Sequence, residues 1–244
     1  MIDSHAHILS EYYNIDEIVK YLKASDIKCV INCSTCLKDA KEVIELSKKF
    51  NNYLLPAIGI HPENIEDTLE QIEELIKNNK IYAIGEIGLD YYWNKENKEE
   101  QKELFIKQIE LANKYNLPII VHTRDSIQDC LDILKAHKAK GVIHCFTGSY
   151  EMAKEFIKLG FKLGIGGVIT FKNSKLSEVV SKIDIKDILL ETDSPYLSPE
   201  PNRGKQNNPS NVYYVAKKIA EIKNLKIEEI VKTTSKTAQN LFDI

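Results

Sequence analysis

Two apolar segments, IYAIGEIGL at residues 81–89 and LPIIVH at residues 117–122, decide the fold of this chain. Both are short and rich in Ile, Val and Leu, which is typical of strands buried on both faces. The longer stretch between them, residues 97–115, has the pattern of an amphipathic helix. A buried strand, a helix and another buried strand predict a parallel β/α unit.

The same unit recurs along the sequence, because further apolar segments alternate with amphipathic ones. The eight predicted strands lie at residues 1–8, 27–33, 53–60, 81–89, 117–122, 141–146, 161–167 and 187–192. Eight β/α units in 244 residues predict a (β/α)8 TIM barrel that forms a single domain over residues 1–244. A doubly wound open sheet is the alternative, but the glycine cluster GIGG at 164–167 lacks the spacing of a dinucleotide-binding motif.

Composition and charge narrow the class of protein. Hydrophobic residues make up 43% and charged residues 28% of the chain, as in ordinary soluble proteins. There is no run long enough to span a bilayer and no secretory signal, and the five cysteines are an odd number, so we expect a cytoplasmic protein without membrane contacts. A net charge of −3 gives no support for nucleic-acid binding, but it permits a nuclease whose metal ions neutralise phosphate locally.

The first nine residues, MIDSHAHIL, alternate apolar and polar side chains. A period of two predicts a strand on which Asp3, His5 and His7 share one face, opposite Ile2 and Ile8. Two imidazoles at positions i and i+2 of a strand can both reach one metal ion, and imidazole is a common ligand of divalent transition metals. The segment therefore predicts a metal site at the end of the first strand.

Polar side chains also stand at the ends of later predicted strands, where a TIM barrel builds its active site. Together with the first two histidines, the predicted metal ligands are His5, His7, Glu86, His122, His144 and Asp193. Four imidazoles and two carboxylates exceed the three or four ligands that a single ion takes. They fit two divalent ions, with Glu86 able to bridge them through its two oxygens.

A pair of divalent ions can acidify a water molecule and hold the attacking and leaving oxygens of a phosphoryl group. We therefore predict Glu86 and Asp193 to be catalytic, with Asp193 both ligating an ion and accepting the proton of the attacking water. Asp3 and Glu191 precede His5 and Asp193 by two residues. They either accept hydrogen bonds that orient ligand imidazoles or pair with other basic groups in the barrel.

Several stretches match, in order, the motifs of a known family. They are DSHAH (3–7), GIHP (59–62), GEIGLDYYW (85–93), PIIVHTRD (118–125), IHCFTGS (143–149), and LLETDSPYLSP (189–199) with NRGKQNNPSN (202–211). Through them the chain resembles the TatD-type metal-dependent hydrolases, a branch of the amidohydrolase superfamily. The resemblance covers the whole chain. One departure is NNP at 207–209, where the family more often has an acidic residue before the proline.

The resemblance implies the barrel predicted above and a site for two metal ions. By motif match, one ion is held by His5, His7, Glu86 and Asp193, and the other by Glu86, His122 and His144. It also implies a deoxyribonuclease that hydrolyses phosphodiester bonds at DNA ends, usually with Mg²⁺ or Mn²⁺, although a histidine-rich set also suits Zn²⁺. The alternative is an amidohydrolase or phosphoesterase acting on a small molecule; many of these bridge their metals with a carboxylated lysine, whereas this chain has Glu86 on the fourth strand.

Other side chains near the predicted strand ends are candidates for substrate contacts. His61 is predicted to bind phosphate or water, with a packed structural imidazole as the alternative. Arg124 and Arg203 either hold phosphate or are, respectively, a salt-bridged and a solvated charge. Tyr91, Tyr92 and Trp93 either stack on bases or pack under their loop. We expect DNA as the substrate, a monomer, and no obligate protein partner.

Overall fold

The computed structural model, which describes residues 1–93 and 95–244, is a parallel β/α barrel. Within these residues, eight parallel strands pair in chain order. The strands are β1 (Ile2–Ala6), β2 (Cys29–Cys33), β3 (Leu54–Ile58), β4 (Ala83–Asp90), β5 (Ile119–Arg124), β6 (Gly141–Ile143), β7 (Lys162–Ile165) and β8 (Ile188–Leu190). The predicted (β/α)8 barrel is confirmed, and the open-sheet alternative is wrong.

Helices alternate with the strands and form the outer layer. They are α1 (Ile15–Ala24), α2 (Leu37–Lys49), α3 (Leu69–Asn78), α4 (Lys98–Lys114), α5 (Ile127–Ala136), α6 (Tyr150–Lys158), α7 (Leu176–Lys182), α8 (Val212–Lys223) and α9 (Ile227–Phe242). Helices α1 and α6 begin after Asn14 and Ser149, whose side chains accept hydrogen bonds from backbone N–H groups of the first turn. No helix in the described ranges has the length and hydropathy that a bilayer crossing requires.

The strand side chains divide between two apolar cores, as the period of two requires. The core inside the barrel contains Ile2, Cys29, Ile31, Cys33, Leu55, Ala57, Ala83, Ile120, Val142 and Leu189. Side chains on the opposite strand faces, such as Val30 and Leu54, pack against the helices. Ala238 and Phe242 of α9 join the inner core, so the last helix covers the end of the barrel where the strands begin.

Two irregularities in strand pairing lie next to predicted site residues. The register shifts between Asp3 and Ala6 in β1, and between Ile84 and Ile87 in β4. A shift of one residue sends the following side chains to the other face of the sheet. Ile2 accordingly packs inside the barrel whereas Ala6 packs against the helices, so the strict alternation predicted for the first strand is wrong.

The barrel closes where β1 meets the segment after β8. Ala6 and Ser194 form a parallel bridge. The N–H of Asp193 donates to the carbonyl of His5 at 3.0 Å, and the N–H of His7 donates to the carbonyl of Ser194 at 2.7 Å. These bonds place the polar segments that follow the first and the last strand side by side.

Candidate metal centre

The side chains predicted to bind metal converge at the end of the barrel where the strands finish. The Nε2 atoms of His5 and His7 lie 3.1 Å apart. Both atoms lie 3.4 Å from Oε2 of Glu86 and 3.6–3.7 Å from Oδ1 of Asp193. The histidines and Glu86 are buried, whereas the Asp193 side chain is 14% exposed. Asp193 is therefore the member of this set that a water molecule reaches most easily.

Glu86 lies between two groups of imidazoles, one on each carboxylate oxygen. Oε2 faces the two histidines of β1 at 3.4 Å. Oε1 lies 2.7 Å from Nδ1 of His122, 3.7 Å from Nε2 of His144 and 3.8 Å from Nε2 of His61. This placement suits the predicted bridging role, because each oxygen can serve a different ion.

The donor set fits divalent ions in both chemistry and spacing. Within the described residues, the three-residue groups whose donor atoms lie within 4.8 Å of one another are His5–Glu86–His144, His5–His7–Asp193, His61–Glu86–His122 and His144–Cys145–Glu191. Ligands about 2.0–2.2 Å from an ion are about 3–3.6 Å from one another, close to the distances found here. Glu86 belongs to two groups, but geometry places His61, rather than His144, in the group with Glu86 and His122.

Three of these imidazoles have a partner on the nitrogen that faces away from Glu86. Nδ1 of His7 lies 3.0 Å from the carbonyl of Cys33, and Nδ1 of His5 lies 3.4 Å from the Cys33 sulfur. Nδ1 of His144 lies 3.0 Å from Oε1 of Glu191, within ion-pair distance although the angle is not that of a hydrogen bond. A proton held on Nδ1 leaves the Nε2 lone pair directed at the cluster, as a metal ligand requires.

His122 lies between two carboxylates. Its Nδ1 is 2.7 Å from Oε1 of Glu86, and its Nε2 is 3.0 Å from Oδ2 of Asp90. Burial lowers the pKa of His122, but the hydrogen bonds to Asp90 and Glu86 outweigh it and raise the pKa to about 9. Asp90 thus orients this imidazole, a role that the sequence left undecided.

His61 is buried, and a backbone hydrogen bond decides how its ring is protonated. Its Nδ1 accepts from the N–H of Glu63 at 3.3 Å. Since a neutral imidazole carries one proton, Nε2 is then the N–H donor, and this atom faces Glu86. Burial, with a smaller contribution from His122, lowers the pKa of His61 to about 3, which keeps the ring neutral. His61 therefore offers a hydrogen-bond donor, as the predicted phosphate or water contact requires.

The cluster alternates positive and negative groups that shift one another's pKa. Burial raises the pKa of Glu86, but the imidazoles of His5 and His144 outweigh it and hold that pKa well below its usual range. Burial lowers the pKa of His144, but Glu191 and Glu86 raise it to about 10. Burial raises the pKa of Asp193 to about 6, against the opposing effect of nearby imidazoles. Among these carboxylates, Asp193 is the one suited to accept a proton near neutral pH.

The loop after β8 presents Asp193 in a left-handed backbone conformation, with φ of 57°. Such a conformation costs energy outside glycine and needs support from its surroundings. Asn207 supplies it, because its buried Nδ2 donates to the carbonyl of Thr192 at 2.8 Å and to that of Tyr196 at 2.7 Å. Asn208 stands where the family more often has an acidic residue before the proline. Its Oδ1 accepts a hydrogen bond from the N–H of Ser210, and a carboxylate oxygen could accept the same bond.

Buried amide side chains hold the backbone next to the site, and sequence reasoning missed them. Each of three amide side chains bonds the backbone of one residue, and we call it a clamp. The clamps and the residues they bond are Asn32 with Ile8, Gln101 with Asp90, and Gln108 with Ile60. In each pair the amide oxygen accepts from the backbone N–H and the amide nitrogen donates to the carbonyl of the same residue, at 2.6–3.0 Å. For Gln101 and Gln108 the available signal was a polar residue on the buried face of a predicted helix, whereas Asn32 lies within the apolar strand β2.

Asp3 and Glu191 have different roles. Glu191 lies against the His144 ring, as one interpretation expects. Asp3 accepts from the N–H of His5 at 3.2 Å and from the N–H and hydroxyl of Thr192 at 3.0 and 2.5 Å. The idea that Asp3 orients an imidazole is therefore wrong; it fastens β1 to the segment after β8.

The candidates for substrate contacts lie around the barrel mouth. Arg124 is exposed, and its guanidinium carbon lies 3.7 Å from the centre of the Tyr92 ring. No carboxylate of the described residues lies within 4.0 Å of it, so the salt-bridge alternative is not realised. Arg203 is exposed on the loop after β8 and lies 3.7 Å above the Phe171 ring. Phosphate binding by either arginine stays a prediction.

Comparison with known proteins agrees with this architecture. The family model described as TatD related DNase matches residues 2–243. The chain is 42% identical over 254 residues to "Uncharacterized metal-dependent hydrolase YabD" of Bacillus subtilis (strain 168), covering 100% of this chain and 99% of that protein. It is 29% identical over 261 residues to "Deoxyribonuclease TATDN3" of Homo sapiens, covering 99% of this chain and 94% of that protein.

A solved structure gives the same result for the fold. The crystal structure of YJJV, a TatD homolog from Escherichia coli K12, superposes with a TM-score of 0.93 at 29% identity and covers 100% of this chain and 98% of that chain. A family model that spans almost the whole length, and relatives aligned from end to end, show that the chain belongs to the TatD related DNase family of metal-dependent hydrolases.

Proposed function

We propose that this chain is a deoxyribonuclease that hydrolyses phosphodiester bonds at DNA ends with a pair of divalent metal ions. The observation that carries the proposal is the position of Glu86, whose two oxygens face separate groups of imidazoles. A carboxylate that bridges two ions is the arrangement used for in-line displacement at phosphorus. The deoxyribonuclease name of the human relative adds support for DNA as the substrate.

The proposed ligands follow the motif match. One ion would be held by His5, His7, Glu86 and Asp193, and the other by Glu86, His122 and His144. We favour Mg²⁺ or Mn²⁺ as the working ions, with Zn²⁺ as the alternative, because selection among these ions depends on availability as well as affinity. We leave His61 out of the ligands, because the N–H of Glu63 donates to its Nδ1 and this contact favours a proton on Nε2.

Each remaining group has a task that follows from its surroundings. The bound ions supply Lewis-acid stabilisation of the phosphoryl oxygens and lower the pKa of a nearby water. Asp193 accepts the proton of the attacking water, because it is partly exposed and its burial raises its pKa to about 6. Glu86 stays ionised, and His61 donates a hydrogen bond from its Nε2–H to a phosphoryl oxygen. Arg124 and Arg203 hold neighbouring phosphates.

The competing function is hydrolysis of a small amide, ester or phosphoester. Many relatives of that kind use a buried carboxylated lysine as the bridging group. No lysine of the described residues is buried. We therefore assign the bridging position to Glu86, and this assignment favours the nuclease over the small-molecule hydrolase.

The test uses metal-stripped protein and end-labelled single-stranded DNA, with Mg²⁺, Mn²⁺ or Zn²⁺ added separately. We expect the DNA to shorten progressively from one end with at least one ion. Glu86→Ala should abolish this shortening, whereas Glu228→Ala, on the exposed start of α9, should not.

Two results would contradict the proposal. Full activity in Glu86→Ala would rule out a bridging role for this carboxylate. Failure to cleave DNA with any ion, together with turnover of a chromogenic ester or amide, would replace the nuclease with the small-molecule hydrolase. The proposed monomer and the absence of an obligate partner are checked on the same samples by light scattering.

A further inference from the structure

An exposed aromatic pair stands beside the proposed catalytic site. Tyr92 and Trp93 follow β4, with 51% and 63% of their surfaces exposed. Their rings are perpendicular, with centroids 4.8 Å apart. The guanidinium of Arg124 lies 3.7 Å from the Tyr92 ring centre and 5.4 Å from that of Trp93. We refer to these three side chains as the Tyr92–Trp93–Arg124 platform.

The platform is fixed to the metal centre through one carboxylate. Oδ1 of Asp90 accepts from the backbone N–H groups of Tyr92 and Trp93 at 2.9 and 3.1 Å. Oδ2 of the same residue lies 3.0 Å from Nε2 of His122. Arg124 follows His122 by two residues in β5 and pairs in register with Asp90. The backbone that carries the aromatic rings is thus fixed next to a proposed ligand.

We propose that the Tyr92–Trp93–Arg124 platform binds an unpaired nucleobase next to the scissile phosphate. The inference rests on the proposed nuclease function and names the part of the substrate that this side of the mouth recognises. An aromatic face stacks on any base, and a guanidinium held over the rings adds a positive charge for the adjoining phosphate. The occupant is a base because the neighbouring centre is the one proposed to hold its phosphodiester.

The platform acts on binding rather than on the chemical step. Within the described residues, its side chains form no hydrogen bond or ion pair with the six proposed ligands. Bases inside a duplex already stack on each other, whereas a base in a single strand or at a frayed end has a free face. The subsite therefore favours unpaired DNA whatever its sequence.

Trp93 is the only tryptophan in the chain, so fluorescence excited at a wavelength that tyrosine does not absorb reports on the platform alone. The titration uses the Asp193→Asn variant loaded with Mg²⁺. This substitution removes the proposed base and so prevents cleavage during the titration. Its ligands are a single-stranded DNA and an abasic tetrahydrofuran strand of the same length and charge. Each is added while fluorescence and anisotropy are recorded together. We expect the base-bearing strand to change the Trp93 emission on binding, and the abasic strand to leave it unchanged.

A second measurement uses affinity. Trp93→Ala should raise the Kd for the base-bearing strand about 5- to 150-fold, the range expected for one stacked base, and leave the Kd for the abasic strand unchanged. Tyr213→Ala removes another exposed aromatic ring, on α8, and should change neither value.

The outcomes separate this subsite from the nuclease itself. If both strands bind equally and saturating DNA leaves the Trp93 emission unchanged, the subsite is wrong while the nuclease stands. If neither strand binds, and the metal-loaded wild-type protein cleaves no DNA, the nuclease fails and the subsite fails with it. If Trp93→Ala weakens the binding of both strands equally, base stacking is also wrong, because the effect would then come from a disturbed loop conformation.

Discussion

His61 illustrates at the scale of a single residue how one hydrogen bond limits what an imidazole can do. The N–H of Glu63 occupies its Nδ1 lone pair, so its Nε2 is a donor. We predict that His61→Leu keeps the metal content of the wild-type protein but lowers kcat/KM for DNA about 10- to 150-fold, the effect of losing a hydrogen bond to a charged oxygen. Metal analysis and steady-state kinetics on the same samples check this. Loss of a metal equivalent would instead make His61 a ligand.

Asn207 provides a second prediction at this scale. Its Nδ2 donates to two carbonyls of the loop that presents Asp193. Asn207→Asp keeps the shape but replaces both donors by an acceptor, so we expect the free energy of unfolding to fall by about 2–4 kcal/mol. Urea unfolding measures the change. Asn78→Asp, on an exposed helix end, should change it by less than about 0.5 kcal/mol, and equal effects would contradict the role given to Asn207.

At the scale of the element, α4 positions the site from outside the barrel. Gln108 on its buried face bonds both the N–H and the carbonyl of Ile60, the neighbour of His61. Gln108→Leu leaves those two buried backbone groups without this partner, which should lower the free energy of unfolding by about 2–4 kcal/mol and reduce DNA cleavage. Lys107→Leu, exposed on the same helix, is the control. Equal stability of both variants in urea would show that the clamp is dispensable.

Strand β4 depends on a glycine that follows its register shift. Gly88 has φ of 142°, and a Cβ there would lie 2.0 Å from the carbonyl oxygen of His122. Gly160 also has a positive φ, of 89°, but nothing lies within 4 Å of its added Cβ. Gly160→Ala should therefore lower the free energy of unfolding by about 1–2 kcal/mol through backbone strain alone. Gly88→Ala should lower it further and should also reduce activity. The urea midpoints of the two variants test the difference; equal midpoints would show that the contact with β5 does not matter.

The elements were largely predictable, and their departures have local causes. The helix predicted at 97–115 is observed at Lys98–Lys114, because its amphipathic pattern and its end signals agree. The strand predicted at 141–146 stops at Ile143, because Cys145 turns to φ of 45° and donates its N–H to Glu191. The pairing that causes this turn joins residues 46 positions apart, which no local pattern records.

For the whole molecule, the gathering of polar strand ends followed from the barrel topology alone, since parallel strands finish at one face. What the sequence could not indicate was the finer arrangement. The register shifts in β1 and β4, the proton position on His61 and the Asp90 contact to His122 each depend on a neighbour distant in the chain. Such contacts exist only once the barrel has closed.

The same dependence makes metal binding a property of the folded barrel. Its proposed ligands come from β1, β4, β5 and the segments after β1, β6 and β8, so the unfolded chain cannot bring them together. An ion that binds only the folded state stabilises it by about 2.7 kcal/mol at a free concentration of 100 times its Kd. For a domain of this size, we expect Mn²⁺ added to metal-stripped protein to raise the Tm by about 5–11 °C. Calorimetry measures the shift; it should fall sharply in His5→Ala, whereas His137→Ala, at the far end of α5, should keep it. An undiminished shift in His5→Ala would mean that the ion binds outside the proposed centre.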